Sequence, residues 1–365
     1  MRLDSDELRT FAVDLLAGLG APPATAGTVA DSLIRADLAG FGTHGIAILP
    51  LYREMIEDDA IDPTVDPVTE QRAESWAAVD GRDAFGQLTG REATARGVAI
   101  AEERGTAVVG IRNGSHLGPI GEYAERAAAQ GMVFLGFANT GGGAKNTAPF
   151  GGQDRKLSTN PVAFGFPTFD ALPFDIVSDF ATSQISGSIV RDRHRAGEPL
   201  HDEWTTSQSG GPVTDPASFL EGEGAILPLG GRVTGHKGYG LSIAAELLGG
   251  LVGGEAVVGE RDPTWLANGA AFVVIDPRTF VSRTVIEQRV DSLASHLRSE
   301  EVRLPGEGTH QRRSDNCEQG LEVAAADLTP LAELASTLSV DIPAWLQMTL
   351  SDAEDTDDAD DLQTW

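Results

Sequence analysis

Apolar residues recur with a helical period from the start of the chain. Leu8, Phe11, Leu15 and Leu16 form one stripe in "LDSDELRTFAVDLLAGLG". Asp4 is placed as N-cap with Glu7 three residues on, and Gly18 and Gly20 act as stops, so a first helix is predicted. Val29, Leu33, Ile34 and Leu38 repeat the spacing and predict a second helix over about 23–38. A third follows in "LPLYREMIEDDA", so residues 1–60 read as helical. Residues 86–104 predict another helix, "TAVVGIR" (106–112) a buried strand, "IGEYAERAAAQG" a helix closed by Gly131, and "MVFLGFAN" (132–139) the next strand. This rhythm predicts an α/β core. The sheet is expected to be mixed, because not every strand is separated from the next by a helix.

Glycine, proline and polar residues dominate from Gly141 to Pro167, which reads as a long functional loop. A short strand ending at Asp179 is expected in "PFDIVSDFATS". "GHKGYGLSIAAELLGGLVGG" (235–254) is a glycine turn entering an apolar helix, and "GAAFVVIDP" (269–277) is a strand. "SLASHLRSE" and "DLTPLAELASTLSV" predict C-terminal helices, and the acidic residues 351–365 a disordered tail. The expected organisation is a helical segment over 1–75 packing with C-terminal helices over 286–350, an α/β core over 76–285, and the tail.

"AGFGTHGIAILP" (39–50) spells G-x-G-x-x-G at Gly40, Gly42 and Gly45. A dinucleotide-binding turn needs a strand before those glycines. Here a helix enters them, so the match does not read as a Rossmann turn, and His44 becomes the residue of interest.

Composition narrows the class. The chain has 365 residues with 41% apolar content, as in a globular protein. No apolar run reaches the length of a membrane span. The acidic N-terminus lacks the basic-then-apolar order of a signal peptide. Cys317 is the single cysteine, which excludes an internal disulfide and a Cys-based zinc site. A cytoplasmic protein is the simplest expectation. The 55 acidic residues against 27 basic ones give a formal net charge of −28, which repels nucleic acid and anionic membranes. Arginine in preference to lysine, with acid spread along the whole chain, favours a halophilic, salt-adapted surface. The alternative is an ordinary acidic protein with an acidic tail.

His194, His201, His296 and His310 lie in charged segments and read as surface residues. His116, in "RNGSHLGPIGEYA", follows the 106–112 strand, the place where open α/β sheets carry ligands. Gly114, Ser115 and Gly118 leave room beside it. The alternative is a loop histidine that caps the next helix. His44 is equally readable as a structural histidine. Lys237, in "GHKGYG", sits where helix-start amides and an ammonium suit a phosphate or carboxylate, unless it simply faces solvent. Arg191, Arg193, His194 and Arg195 cluster in "RDRHRAGEP". They read either as a solvated basic turn or as a site for the 2′-phosphate of NADP. H-E-x-x-H, G-x-S-x-G and P-loop motifs are absent, and no metal site is expected.

The ordered stretches "THG…LP.Y" (43–52), "RNGSHLG" (112–118), "APFGG" (148–152), "LSTNPVAFGFPT" (157–168), "SDFATS" (178–183), "GHKGYGLSI" (235–243) and "LPGE" (304–307) resemble the malate/L-lactate dehydrogenase type 2 family over nearly the whole chain. The resemblance implies that family's non-Rossmann cofactor-binding α/β fold, NAD or NADP as cofactor, a 2-oxo or 2-hydroxy acid as substrate, and a homodimer. It places His116 as general acid/base. Thr43 and His44 take catalytic and substrate-binding positions, with Thr43 in place of the family's usual serine. Thr140, Asp179, Phe180, Ala181, Lys237, Gly238 and Glu307 take cofactor-binding positions. The family pattern usually carries a carboxylate-clamping arginine where this chain has Ile48. Isoleucine supplies neither the charge nor the bidentate geometry. An atypical substrate is therefore expected, with Lys145 of "TGGGAKN" as a candidate replacement cation. The alternatives are a cyclic imine-2-carboxylate reductase and a cofactor-binding homologue without turnover.

Overall fold

The structure, a computed structural model, describes residues 2–261, 267–323 and 325–347. The expected tail at 351–365 lies outside these. The chain divides into two compact units, Met1–Val65 with Glu307–Trp365, and Asp66–Gly306.

The first unit is helical. α1 (Ser5–Gly18) begins at Asp4, whose carboxylate accepts from the Asp6 and Glu7 amides, a cap worth about 1 kcal/mol. Its apolar stripe is fully buried. α2 (Pro23–Leu38) starts on a proline, which loses nothing where an amide has no helical partner. Two 3₁₀ turns, Gly42–His44 and Ile46–Ile48, lead into α3 (Leu49–Glu57). A helix does enter the G-x-G-x-x-G stretch, as the spacing predicts.

The second unit is built on a mixed sheet. Its strands are β2 (Val68–Ala73), β3 (Trp76–Asp80), β4 (Thr106–Gly114), β5 (Val133–Ala138), β6 (Val162–Phe166), β7 (Ile176–Phe180) and β10 (Asn268–Ile275). They lie in the order β2-β3-β4-β10-β5-β6-β7. Among the described strands of this sheet, only β3 and β4 pair in parallel. β10 lies antiparallel between β4 and β5, so the strand–helix–strand unit of the sequence straddles a strand from far along the chain.

Two expectations change. Residues 141–167 read as loop, yet they contain β6. Its "VAFGF" is short and carries Gly165, where a Cβ would come within 2.7 Å of the Ala124 carbonyl oxygen. That glycine allows close helix contact and hides the strand signal. The hairpin β2–β3 is the second difference. β2 is an edge strand with little buried surface, so its "VTEQRA" shows no apolar alternation.

α4 (Gly86–Arg104) and α5 (Gly121–Ala128) cover one face of the sheet. Val109 touches α4 at Gly97, whereas Gly110 lies against the Val252 carbonyl. Successive strand residues point to opposite faces. α9 (His236–Leu248) and the π-turn Gly249–Gly253 that ends it therefore cover the other face. Phe134, Phe272, Tyr123, Val109 and Val274 form the core. The remaining elements follow outside the sheet. α6 (Gly187–Arg195), α7 (Pro216–Leu220) and α8 (Gly231–Thr234) surround the short pair β8 (Thr205–Thr206) and β9 (Ala225–Ile226). α10 (Arg283–Arg298) closes the second unit, and α11 (Glu307–Gln319) and α12 (Ala325–Leu338) belong to the first. There β1 (Arg2–Leu3) pairs with β11 (Leu321–Glu322).

Candidate active site

Strand register gathers the candidate residues at one end of the sheet. Gly114 pairs with Asn268, Ala138 with Ala270, Phe137 with Val162, and Val162 with Phe180. The end of β4, the end of β5, the start of β6, the end of β7 and the start of β10 therefore lie together. His116 leaves the first, Asn139 and Thr140 the second, Asn160 precedes the third, and Asp179, Phe180 and Ala181 end the fourth.

His116 is half-buried, between two fixed neighbours. The Ser115 hydroxyl donates to the Ala84 carbonyl at 2.8 Å. The Leu117 amide donates to Asn268 Oδ1 at 2.9 Å, and the Leu117 carbonyl accepts from the Tyr123 hydroxyl at 2.5 Å. Gly86, the first residue of α4, lies so close that a Cβ there would sit 2.2 Å from the His116 carbonyl oxygen. Glycine at that position lets the helix start press against the histidine's backbone.

Asp179 sits at the start of α5, where its carboxylate accepts from the Gly121 amide at 2.7 Å. A Cβ on Gly121 would approach the Asp179 side chain to 2.9 Å. Burial pushes the Asp179 carboxyl up to about 6; the Gly121 bond opposes the shift and the Glu125 charge adds to it. Phe180 is half-buried and packs on Phe164. Thr140 is buried, and its hydroxyl donates to the Gly143 carbonyl at 2.6 Å in a tight turn. Lys145 lies farther along the same loop.

α9 reaches this end through its first turn. Gly238 packs against Leu229, where a Cβ would meet the Leu229 carbonyl at 2.4 Å. The Leu229 amide donates to the Thr182 carbonyl at 2.9 Å, one residue past Ala181. Lys237 stands exposed beside Gly238 with no ion pair among the described residues.

Four buried side chains escape a reading of the sequence. Glu246, inside α9, accepts from Asn160 Nδ2 at 2.7 Å, from the Val258 amide at 2.8 Å and from Asn139 Nδ2 at 3.3 Å. Asn268 Nδ2 donates to the Asn139 carbonyl at 2.7 Å. Asn160 takes a left-handed φ of 34°, which asparagine tolerates better than most residues. A lone carboxylate in the apolar run "LSIAAELLGGL" is a signal the sequence does carry. The asparagines read only as turn formers.

Thr43 and His44 lie in the first unit, in the turn Gly42–His44. Asp37 holds the next residues, its carboxylate accepting from the Ile46 amide at 2.9 Å. A Cβ on Gly45 would fall 1.7 Å from Asp37 Oδ1, so a side chain there would have to displace that carboxylate. Ile48 is buried at 8% exposure. Glu307 begins α11. The basic cluster 191–195 is the end of α6 rather than a loop turn. Arg193 pairs with Glu198 at 2.5 Å and Arg195 with Asp192 at 2.6 Å, so acids already satisfy two of its arginines. No cluster of three or more metal-ligand side chains occurs among the described residues.

The sequence matches the malate/L-lactate dehydrogenase family over residues 3–332. It is 31% identical over 353 residues to an L-lactate dehydrogenase of Cupriavidus necator, covering 94% of this chain and 99% of that one. A structure described as a putative malate/lactate dehydrogenase from E. coli superposes with a TM-score of 0.88 at 29% identity, covering 96% of this chain and 99% of that chain. The Δ1-piperideine-2-carboxylate reductase of Pseudomonas syringae pvar. tomato superposes with a TM-score of 0.81 at 29% identity, covering 92% and 100%.

Proposed function

The chain belongs to the malate/L-lactate dehydrogenase family, an oxidoreductase family acting on CH–OH groups, and from that premise we propose that it interconverts a 2-hydroxy acid and its 2-oxo acid with His116 as general acid/base. The observation that carries the proposal is that one end of the sheet collects His116, Thr140, the Asp179–Ala181 turn and the start of α9.

The residues present fit a nicotinamide dinucleotide. Lys237 is exposed, has no ion pair among the described residues and lies in the first turn of a 13-residue helix, where amide groups and ammonium both favour a phosphate or a ribose hydroxyl. The Thr140 turn, Asp179, Phe180, Ala181 and Gly238 line the same sheet end as the remaining cofactor contacts, and Glu307 is assigned to the cofactor on the resemblance alone. A nicotinamide held by these residues would supply the hydride chemistry at C2 of the acid. His116 supplies the proton to the carbonyl oxygen in one direction and removes it from the hydroxyl in the other. An imidazole titrates near neutrality and serves both directions. The fixed neighbours of His116 lower the cost of holding the ring in register with the reacting oxygen.

Thr43 and His44 are proposed as substrate contacts on the resemblance. With Ile48 in place of the usual arginine, the substrate is proposed to be atypical, its carboxylate held by another cation such as Lys145 or replaced by a less charged or larger group. Neither NAD nor NADP is favoured by the 191–195 cluster, since two of its arginines are paired. Homodimer assembly, a cytoplasmic location and salt adaptation belong to the same proposal. Among the described residues, no helix is long and apolar enough to cross a membrane.

A second reading has a specific support, the likeness to the piperideine-2-carboxylate reductase. There the same histidine would serve proton transfer in reduction of a C=N bond.

The test is oxidation of NADH and NADPH, followed by absorbance, against 2-oxo acids, sugar-derived keto acids and cyclic imines at low and molar KCl. Turnover with a 2-oxo acid supports the proposal. Turnover with imines alone selects the second reading. Absence of cofactor binding contradicts both.

A further inference from the structure

On the reading that His116 exchanges the proton, we propose that Asn268 is the positioning residue that sets His116 against the cofactor-side loop. Asn268 is 7% exposed, and its carboxamide does two things at once. The oxygen accepts from the Leu117 amide at 2.9 Å, one residue past His116. The nitrogen donates to the Asn139 carbonyl at 2.7 Å, one residue before Thr140. Only a group carrying a donor and an acceptor on one rigid plane joins both loops in this way.

The backbone is built to present it. The pairing of β10 with β4 shifts register between Asn268 and Ala270, and such a bulge re-aims a side chain. Gly269 occupies the shift, where a Cβ would fall 2.3 Å from the Glu255 Cβ. Asn139, the receiving residue, is itself locked. Its Oδ1 accepts from the Gly269 amide at 3.2 Å, and its Nδ2 donates to the Ala256 carbonyl at 2.9 Å and to Glu246. Glu246 also holds Asn160, ahead of β6. Asn268 is thus the link between a rigid block around Asn139 and the segment carrying His116. A loose link would let the imidazole drift, and a misplacement of about 1 Å is enough to lower turnover by roughly a hundredfold.

The experiment compares Asn268→Ala, Asn268→Asp and His116→Ala in kcat, cofactor Kd and the pH profile of kcat. Asn268→Ala removes both bonds. Asn268→Asp keeps the acceptor for Leu117, loses the donor to Asn139, and places a negative charge near His116, which favours the imidazolium. The expected result for Asn268→Ala is a fall in kcat of roughly 10–100-fold with cofactor Kd within about threefold of wild type. Asn268→Asp is expected to recover part of that loss, with its profile displaced to higher pH. Wild-type kcat and an unmoved profile in both variants would overturn the proposal. So would a loss of cofactor affinity in step with kcat and an unmoved profile, the mark of general loosening. If Asn268→Ala does not fold, the profile of Asn268→Asp decides. Unchanged kcat in His116→Ala would instead remove the assignment of His116, which separates the two failures.

Discussion

The two histidines proposed for proton transfer and substrate contact, His116 and His44, are held by different means. His116 lies in a segment pinned on both sides by buried side chains, with a helix start pressed against its backbone and an Asn–Asn–Glu–Asn network behind it. His44 lies in a 3₁₀ turn kept by its own backbone bonds and, beyond Gly45, by one carboxylate, Asp37. The network gives His116 one arrangement, because each buried polar group would cost about 1–3 kcal/mol if left without its partner. The 3₁₀ turn is held through its backbone, and Ile48 ends the second turn that follows it. The contrast matches the proposed roles, proton transfer at His116 and substrate contact at the 43–48 turn, and each part of it can be tested separately.

The largest effect is expected for His116→Ala. Loss of proton transfer should lower kcat by roughly 10²–10⁴-fold while cofactor binding persists. Steady-state kinetics with parallel fluorescence titration of reduced cofactor measures both. Next comes the pair Gly86→Ala and Gly45→Ala, each meeting an obstacle closer than real Cβ contacts allow. The obstacle at Gly86 is backbone, which cannot swing aside, whereas at Gly45 it is the end of the Asp37 side chain. Gly86→Ala should therefore destabilise more, by about 3 kcal/mol against about 1–2 for Gly45→Ala, read as denaturant midpoints.

Asp179→Asn tests the electrostatics of the His116 side. The folded carboxyl titrates at about 6, above its ordinary value of 3.8. Between those values the folded state holds a proton the unfolded state has lost, so stability falls as pH rises from about 4 to 6. Holding one extra proton across one pH unit is worth about 1.4 kcal/mol, so the asparagine variant should lose a pH dependence of up to about 3 kcal/mol in that window. An identical stability–pH curve for the variant would contradict the burial argument. Ile48→Arg sharpens the other side of the comparison. It is expected to lower KM for pyruvate- or malate-type acids about tenfold, equivalent to about 1.4 kcal/mol of new ion pairing. No change would mean that the carboxylate already has a cation. The smallest effect is a rise of a few degrees in the thermal midpoint in molar KCl, as screening relieves the net charge of −28. A midpoint indifferent to KCl would remove salt adaptation.

Periodic helices are legible in the sequence because their stripes and stops agree, as in α1 with its Asp4 cap. The place of His116 is legible because a strand end followed by small residues is a local signal. β6 is not, since Gly165 serves a contact with α5 that lies in no local pattern. The hairpin β2–β3 is hidden because an edge strand buries too little to alternate. Asn139, Asn160 and Asn268 are invisible for another reason. Their value lies in bonds between residues more than 80 positions apart, to Glu246 or between Asn268 and the 117–139 segments. Their composition matches any turn.

The proposed reaction exchanges a hydride at C2 and a proton at His116. The most direct measurement uses cofactor deuterated at the transferring position and mass analysis of the product acid, in the wild type and in His116→Ala. Deuterium is expected at C2 in the wild type, with product formation suppressed by roughly 10²-fold or more in the variant. Product without deuterium at C2, or undiminished labelled product from the variant, would contradict it.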